Sequence, residues 1–269
     1  MTSRFHAAAA VLIGIALPAL SAASQLSVYL SAPSAVASTV TFSSGGGLTT
    51  ETFDNKSGSY TTYTSTIGTY SGSMKVQAAD AYGGASGTTY MTFGAQTSTS
   101  TPVTLTLKTP ENYFGFYWSA GDANNGLSVY SAGTQLAHFT TADIKNLLSG
   151  PTVTAINGST YQSSAYNCNP NNTSQDCGEP FAFVHLVATG FTFDKVVFDN
   201  SNTTGTGFES DNHTVAYGTV VLPGTFVTVE SLQVTTTSQA TTPEPGSVLL
   251  LLGGLAAVGY RRRAAKGRA

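Results

Sequence analysis

The sequence predicts an all-β protein: a single two-sheet β-sandwich with jelly-roll-like connections and one short helix. Three observations predict it. Short apolar or alternating runs are separated by clusters of Gly, Asn, Ser and Pro at close spacing. Only one run has the periodicity and the capping residues of a helix. The two ends differ in composition from the middle, so we expect a signal peptide over 1–23, a β-sandwich ectodomain over 24–234, and a linker and a tail after it.

The first 23 residues have the composition of a secretory signal peptide. Arg4 precedes the apolar stretch 7–17, and small residues occupy positions 21–23. The apolar stretch is shorter than the roughly 20 residues that span a bilayer. We therefore expect export through the Sec translocon and cleavage after Ala23. The alternative is an uncleaved N-terminal anchor.

The clearest strand is predicted over 102–108. Val103, Leu105 and Leu107 alternate there with two threonines and a lysine. This period of two is typical of a strand with one buried face and one wet face.

Three runs rich in aromatic residues predict central strands: 113–118, 181–186 and 191–198. In the first run Phe114, Phe116 and Trp118 share one face. In the second run His185 shares a face with two phenylalanines, so we expect it to be a core residue. Weaker strand candidates are 39–42, 127–130, 216–222 and 226–234.

The one helix is predicted to begin at Thr140. Asp143 follows three residues later, which is the spacing of a capping box. Ile144 and Leu147 then fall on one face, and a Gly-Pro pair at 150–151 ends the helix.

Two stretches lack the pattern of a packed core. Residues 45–87 are rich in Gly, Ser, Thr and Tyr and poor in aliphatic residues, so we expect a long surface excursion there. Residues 235–242 are mostly threonine and predict a polar linker.

The mature region is acidic. Between residues 24 and 242 the chain has 13 acidic residues, 5 lysines and no arginine, a formal net charge of −8. Affinity for nucleic acid depends on lysine and arginine that neutralise phosphates. We therefore exclude nucleic acid as a partner.

Two cysteines, Cys168 and Cys177, lie close together among turn-forming residues. Exported proteins meet an oxidising compartment, so this pair predicts a disulfide that closes one loop. Two cysteines alone do not complete a four-ligand zinc site.

The C-terminal 27 residues form a tail in three parts, with Pro243, Glu244 and Pro245 at its start. The two prolines keep this first part extended, as a protease substrate must be. An apolar helix is predicted over 248–260, about 20 Å long at 1.5 Å per residue. The basic end, 261–269, begins with Arg261, Arg262 and Arg263, which should stay on the cytoplasmic side of the membrane.

The tail resembles the PEP-CTERM sorting domain of Gram-negative bacteria that make extracellular polysaccharide. The resemblance includes Pro243, Glu244 and Pro245, the apolar helix and the arginine cluster. It implies that an exosortase, a membrane cysteine protease, cleaves near the motif. The precursor would then be anchored in the inner membrane and the product would reach the cell surface or the extracellular matrix. The alternative is a plain membrane anchor that is never processed.

The ectodomain resembles, in the runs 115–122, 139–144 and 191–200, a family of exosortase-dependent surface proteins. No activity comes with that resemblance. It supports the β-sandwich and the surface location.

No catalytic residue is predicted, and we expect a protein that is not an enzyme. Serines occur with His138, His185 and His213, but without a nucleophile-elbow motif. Three glutamates could serve glycoside hydrolysis, Glu111, Glu179 and Glu209, but they also lack a flanking signature. We expect His213 to be solvated in a polar loop.

No resident metal is predicted, although calcium is considered because hard cations prefer oxygen ligands. Four residues could supply them: Asp199, Asn200, Glu209 and Asp211. Asp122, Asn124 and Asn125 form a second group. The alternative for both groups is ordinary turn chemistry, since Asp and Asn are common turn formers.

Two hypotheses for function follow. The first is a non-enzymatic structural protein of the cell surface or matrix. The second is a lectin-like carbohydrate-binding module with calcium as an assisting ligand, in contact with extracellular polysaccharide. Aromatic residues that could stack on sugar rings are Trp118 and the tyrosines at 60, 63, 70, 82 and 90.

Overall fold

The computed structural model describes residues 25–99, 102–170, 175–201 and 205–221. Within these residues most regular structure is β, with one α-helix, α1 (Thr141–Leu147), and two 3-10 helices, Ala85–Gly87 and Ser163–Tyr166. The strands are β1 (Gln25–Leu30), β2 (Thr41–Gly45), β3 (Thr49–Glu51), β4 (Gly58–Thr64), β5 (Gly68–Gln77), β6 (Tyr90–Gly94), β7 (Val103–Glu111), β8 (Tyr113–Ser119), β9 (Asn125–Ser131), β10 (Thr134–Thr140), β11 (Thr152–Thr154), β12 (Thr160–Gln162), β13 (Ala182–Thr189), β14 (Phe193–Asn200), β15 (Gly207–Ala216) and β16 (Gly218–Val221).

Twelve of these strands form one continuous sheet. Its order is β1-β13-β8-β15-β6-β5-β7-β14-β9-β10, with β3 beside β15 and β4 beside β5. Two small sheets, β11–β12 and β16–β2, lie outside it. The all-β prediction with one short helix is confirmed. The two sheets of the predicted sandwich, however, are joined into one large sheet that is nearly closed.

The two halves of the sheet are joined through β5 and β6. Residues 68–71 of β5 pair with β7, residues 75–77 pair with β6, and β6 continues onto β15. Gly72 lies between the two pairings with a φ of +120°, and a Cβ there would lie 2.5 Å from the Pro102 carbonyl oxygen. Glycine tolerates this φ, so one strand can serve both halves.

One apolar core lies between the two halves of the sheet. Phe114 and Phe116 of β8 contact Phe198 of β14, with ring centroids 6.0 and 6.1 Å apart. Trp118 of β8 contacts Phe139 of β10 at 5.8 Å. Strands that are distant in the sheet order therefore face each other. Each phenylalanine buried there contributes roughly 1.5–3 kcal/mol to stability.

The strongest strand predictions are confirmed. β7 buries Val103, Leu105 and Leu107 and exposes the residues between them, wholly or in part. Every residue of β8 is buried, and in β13 only Thr189 is exposed, as expected of central strands. Among the weaker candidates, 39–42, 127–130 and 216–222 overlap β2, β9 and β16.

The predicted helix is also confirmed. The backbone N–H of Thr140 donates to Oδ2 of Asp143 over 2.7 Å, which is one half of the capping box. Ile144 is buried, and Leu147 packs against the core from its edge.

The expectation of a surface excursion over 45–87 is wrong. This stretch contains β3, β4 and β5, and β5 buries Tyr70, Met74 and Val76 in the core. Aromatic residues and methionine take the place of aliphatic residues there, so a count of aliphatic residues missed the strand.

Several predictions lie outside the described residues. They concern the signal peptide with Ala23, the strand 226–234, the linker 235–242 and the tail 243–269. Among the helices that the structure describes, none has the length and apolar character needed to cross a membrane.

Candidate functional site

His185 is a buried core residue, as predicted. It is fully buried in β13, with Ser31 Oγ 2.6 Å from one ring nitrogen and the Tyr113 hydroxyl 2.8 Å from the other. Burial lowers the pKa of His185 to about 3. The ring is therefore neutral, and both of its nitrogens are engaged in the fold.

The prediction that His213 is solvated is wrong. It lies in β15, is fully buried, and has the Tyr70 hydroxyl and Ser210 Oγ each 2.9 Å from a ring nitrogen. Its ring stacks on Phe198 at 4.9 Å, and burial lowers its pKa to about 3. The polar residues around His213 suggested a loop, but they belong to a strand whose register shifts between Asp211 and Thr214.

The four calcium candidates do not come together. Asp199 lies 3.9 Å from the half-exposed His138, and Asn200 donates from Nδ2 to the Thr206 carbonyl over 3.1 Å. Glu209 and Asp211 both lie on β15, but Glu209 bonds to Gln96 and Asp211 bonds to the Ala85 N–H. Within the described ranges, no three His, Cys, Asp or Glu side chains are placed to hold one metal ion. Calcium binding stays a prediction.

Asp211 accepts hydrogen bonds inside the protein. Its Oδ2 accepts from the Ala85 N–H and from Thr88 Oγ1, both over 3.1 Å, and its Oδ1 accepts from the Asn212 N–H. Burial raises the pKa of Asp211 to about 7, the nearby charge of Asp54 adds to this rise, and the three hydrogen bonds oppose it. Asp211 therefore titrates near neutral pH inside the fold.

An open cleft collects carboxylates from distant parts of the chain; we call it the acidic cleft. Its volume is about 360 Å³. Polar and aromatic side chains line it, those of Tyr82, Gln96, Asp122, Glu179 and Glu209, and the small residues Ala95, Ala120, Gly205 and Gly207 complete the wall.

Glu209 is the most buried carboxylate of the acidic cleft, with 2% of its surface exposed. Its Oε1 accepts from Gln96 Nε2 over 2.8 Å and from Thr92 Oγ1 over 3.3 Å. Burial raises the pKa of Glu209 well above its usual value, and the charge of Asp122 adds to this rise. Glu209 therefore keeps its proton to a higher pH than a surface glutamate does.

Asp122 and Glu179 form the outer part of the acidic cleft. Burial raises the pKa of both carboxylates, and Asp176 raises both further, whereas Lys145 lowers both. The Gly207 N–H donates to Asp122 Oδ2 over 3.1 Å. The acidic cleft therefore repels anions and favours groups that donate hydrogen bonds.

Gly207, the first residue of β15, sets the floor of the acidic cleft. A Cβ at this position would overlap both Glu209 Oε1 and the Gln96 amide. Asn125 donates from Nδ2 to the Gly207 carbonyl over 2.6 Å and fixes this backbone. Only glycine leaves the room that Glu209 and Gln96 occupy.

Tyr82 is the most exposed of the candidate sugar-stacking residues, with 49% of its surface exposed. Tyr63, Tyr70, Tyr90 and Trp118 are each at most 7% exposed and belong to the fold. The turn with Tyr82 is well defined, because Asp80 Oδ1 accepts from the Tyr82 N–H over 2.8 Å.

The predicted disulfide between Cys168 and Cys177 is confirmed. Asn169, next to the first cysteine, is 1% exposed and donates from Nδ2 to the Ala81 carbonyl over 2.6 Å. Glu179 follows two residues after the second cysteine. The disulfide loop therefore contacts the turn with Tyr82 and leads directly into another wall of the acidic cleft.

Sequence reasoning missed the acidic cleft as a unit. It grouped Glu209 with Asp211 and Asp199 as calcium candidates and with Glu111 and Glu179 as carboxylates for glycoside hydrolysis. The structure brings Glu179 and Glu209 to one cleft, and Glu209 bonds there to Gln96, 113 positions away. The pairing of β15 with β6 and β8 makes this contact. No local pattern around Gln96 or Tyr82 indicates it.

Comparison with known proteins identifies the C-terminal tail. Residues 241–263 match the family model described as the PEP-CTERM protein-sorting motif. Searches of curated proteins and of solved structures found no match. The resemblance of the ectodomain to exosortase-dependent surface proteins stays a prediction. The family match confirms the resemblance of the tail, so the chain is a protein with a PEP-CTERM sorting motif at its C-terminus.

Proposed function

We propose that this chain is an exported, non-enzymatic protein of the cell surface or extracellular matrix, and that an exosortase removes its tail near Pro243-Glu244-Pro245. The observation that carries this proposal is the sorting motif at 241–263. A signal-peptide composition at the opposite end of the chain supports export.

The length of the apolar part of the tail supports a temporary anchor. Residues 248–260 would form a helix of about 20 Å, whereas a bilayer core is about 30 Å thick. Arg261, Arg262 and Arg263 would hold the end of the tail on the cytoplasmic side. A short anchor of this kind suits a precursor that is held in the inner membrane until it is cleaved.

The described part of the chain supports a structural role. His185 and His213, which could serve as catalytic bases, are neutral and bonded within the core. We retain the jelly-roll-like sandwich as our interpretation of how the two facing halves of the sheet are connected.

The sorting proposal is tested by expressing the full chain in a Gram-negative host with its exosortase and in the matching exosortase deletion strain. We expect surface or matrix protein in the first strain and inner-membrane protein in the second. The double variant Pro243→Ala, Pro245→Ala should behave like the deletion, and Thr237→Ala in the linker should behave like wild type. Equal distribution in both strains would contradict the proposal.

The second candidate function is a lectin-like carbohydrate-binding module, in which calcium could assist. The exposed Tyr82, which lines the same cleft as Glu179 and Glu209, favours it. The two candidates are compatible, because sorting uses the tail and binding would use the acidic cleft. Calorimetric titration of the protein with calcium chloride tests the assisting role of calcium. If the titration gives no heat and the melting temperature does not change, calcium has no such role.

A further inference from the structure

We propose that the acidic cleft binds an uncharged saccharide, with Tyr82 as the stacking ring and Asp122, Glu179 and Gln96 as hydrogen-bond partners. This inference rests on the second candidate function and is independent of the sorting tail. The cleft volume of about 360 Å³ falls within the range of roughly 300–1,000 Å³ of small-molecule sites. One or two sugar rings fit such a space.

Tyr82 supplies the apolar surface of the site. A tyrosine ring offers an apolar face together with a polar hydroxyl, which matches the C–H face and the hydroxyl rim of a sugar. The other tyrosines of the 60–90 region that pack in the core have a structural explanation, whereas Tyr82 is half exposed and lines the cleft.

The polar lining matches hydroxyl groups. The carboxyl oxygens of Asp122 and Glu179 accept hydrogen bonds from sugar hydroxyls. Glu209 lines the inner wall, where its Oε1 accepts a hydrogen bond from Gln96 Nε2. Gln96 donates one amide hydrogen to Glu209, and its second amide hydrogen is a donor for the ligand. Sugar hydroxyls donate and accept, so they suit this mixture.

Other ligand classes fit the acidic cleft less well. Anions are repelled by Asp122, Glu179 and the nearby Asp176. An apolar ligand would remove water from the carboxylates without replacing their hydrogen bonds, which is costly. A chelated cation needs several ligands arranged around one point. In the described residues no three acidic, His or Cys side chains, including those of the cleft, are placed to hold one metal ion.

The disulfide loop gives the site a fixed shape before binding. Asn169 bonds to the Ala81 carbonyl beside Tyr82, and Asp80 accepts from the Tyr82 N–H. A wall that is already ordered loses less conformational freedom on binding. Cys168 and Cys177 are therefore positioning residues for Tyr82 and Glu179.

The test uses the full chain in a zwitterionic detergent, because alkyl-glycoside detergents would compete for the site. Neutral mono- and oligosaccharides of hexoses are titrated by calorimetry against wild type, Tyr82→Ala and Glu179→Gln. Tyr217→Ala is the matched control, since Tyr217 is also exposed, at 60%, and does not line the acidic cleft. We expect at least one saccharide to bind to the wild type. Its affinity for each cleft variant should be about tenfold lower, and its affinity for the control should equal that for the wild type.

Three outcomes would overturn the inference. Absence of binding to every saccharide would remove both the site and the lectin-like function. Saccharide binding that is equal in wild type and Tyr82→Ala would keep the function and reject this site. Binding of calcium chloride alone, lost in Glu179→Gln, would identify the cleft as a cation site. Melting curves of all variants test whether each one is folded.

Discussion

The pH dependence of stability should change in a defined way when Asp211 is replaced by asparagine. The pKa of Asp211 is raised from 3.8 to about 7 in the folded protein. Between these two pH values the folded protein holds a proton that the unfolded chain has released. Each pH unit then lowers the free energy of unfolding by about 1.4 kcal/mol, or roughly 4 kcal/mol over the interval.

Asparagine has no proton to release, so Asp211→Asn loses this dependence. The difference in free energy of unfolding, variant minus wild type, should rise by up to roughly 4 kcal/mol from pH 4 to pH 7 and stay level above it. Other titrating groups are common to both proteins and cancel. Urea unfolding at several pH values measures the difference.

Thr88→Val is the control for Asp211→Asn. It removes a hydrogen bond that lowers the pKa of Asp211. The pKa in the folded protein should therefore rise, and the pH range over which the free energy of unfolding falls should extend to higher pH. Parallel pH curves for wild type and Asp211→Asn would refute the reasoning.

Three further predictions concern stability. His213→Phe leaves two buried hydroxyls without a partner and should cost roughly 3 kcal/mol at pH 7 by urea unfolding. This cost should shrink in acid, because the wild type loses stability there: its folded His213 stays neutral down to about pH 3, whereas the unfolded chain gains a proton on that histidine below about pH 6.5. A cost that does not change with pH would contradict this. Removing the disulfide with Cys168→Ser and Cys177→Ser should lower the free energy of unfolding by about 2–3 kcal/mol. An unchanged free energy of unfolding would show that closing this loop does not stabilise the fold. Gly207→Ala should lower the melting temperature through a loss of about 1–3 kcal/mol, while Gly178→Ala, where a Cβ meets nothing, should not; equal effects would argue against the packing at the cleft floor.

The sequence allowed prediction of those elements whose pattern is local. Alternation identified β7, aromatic runs identified β8 and β13, and the hydroxyl-carboxylate spacing identified the start of α1 at Thr140. These signals need no knowledge of distant residues, because each arises from the geometry of one element.

The remaining features depend on pairing between distant residues. β5 contains glycine, serine and tyrosine in place of aliphatic residues, and its role as the joint of the sheet follows from Gly72 and its neighbours β6 and β7. His213 looked like a loop residue because polar residues surround it. Its burial follows from its partner Tyr70, 143 positions away.

The acidic cleft was predictable only in part. Glu209 and Asp122 were recognised as oxygen-rich positions, but as members of two different calcium groups. Gln96 and Tyr82 enter the site through the register of β15 with β6 and through the turn that Asn169 holds. Such contacts join segments that no short motif connects.

The mass of the C-terminal peptide of surface-exposed protein tests the sorting account most directly. The protein is collected from the surface or matrix of cells with an exosortase, digested, and analysed by mass spectrometry. The account predicts an end between Pro243 and Ser247, close to the motif within 241–263. An intact end at Arg268-Ala269 on surface-exposed protein would contradict it.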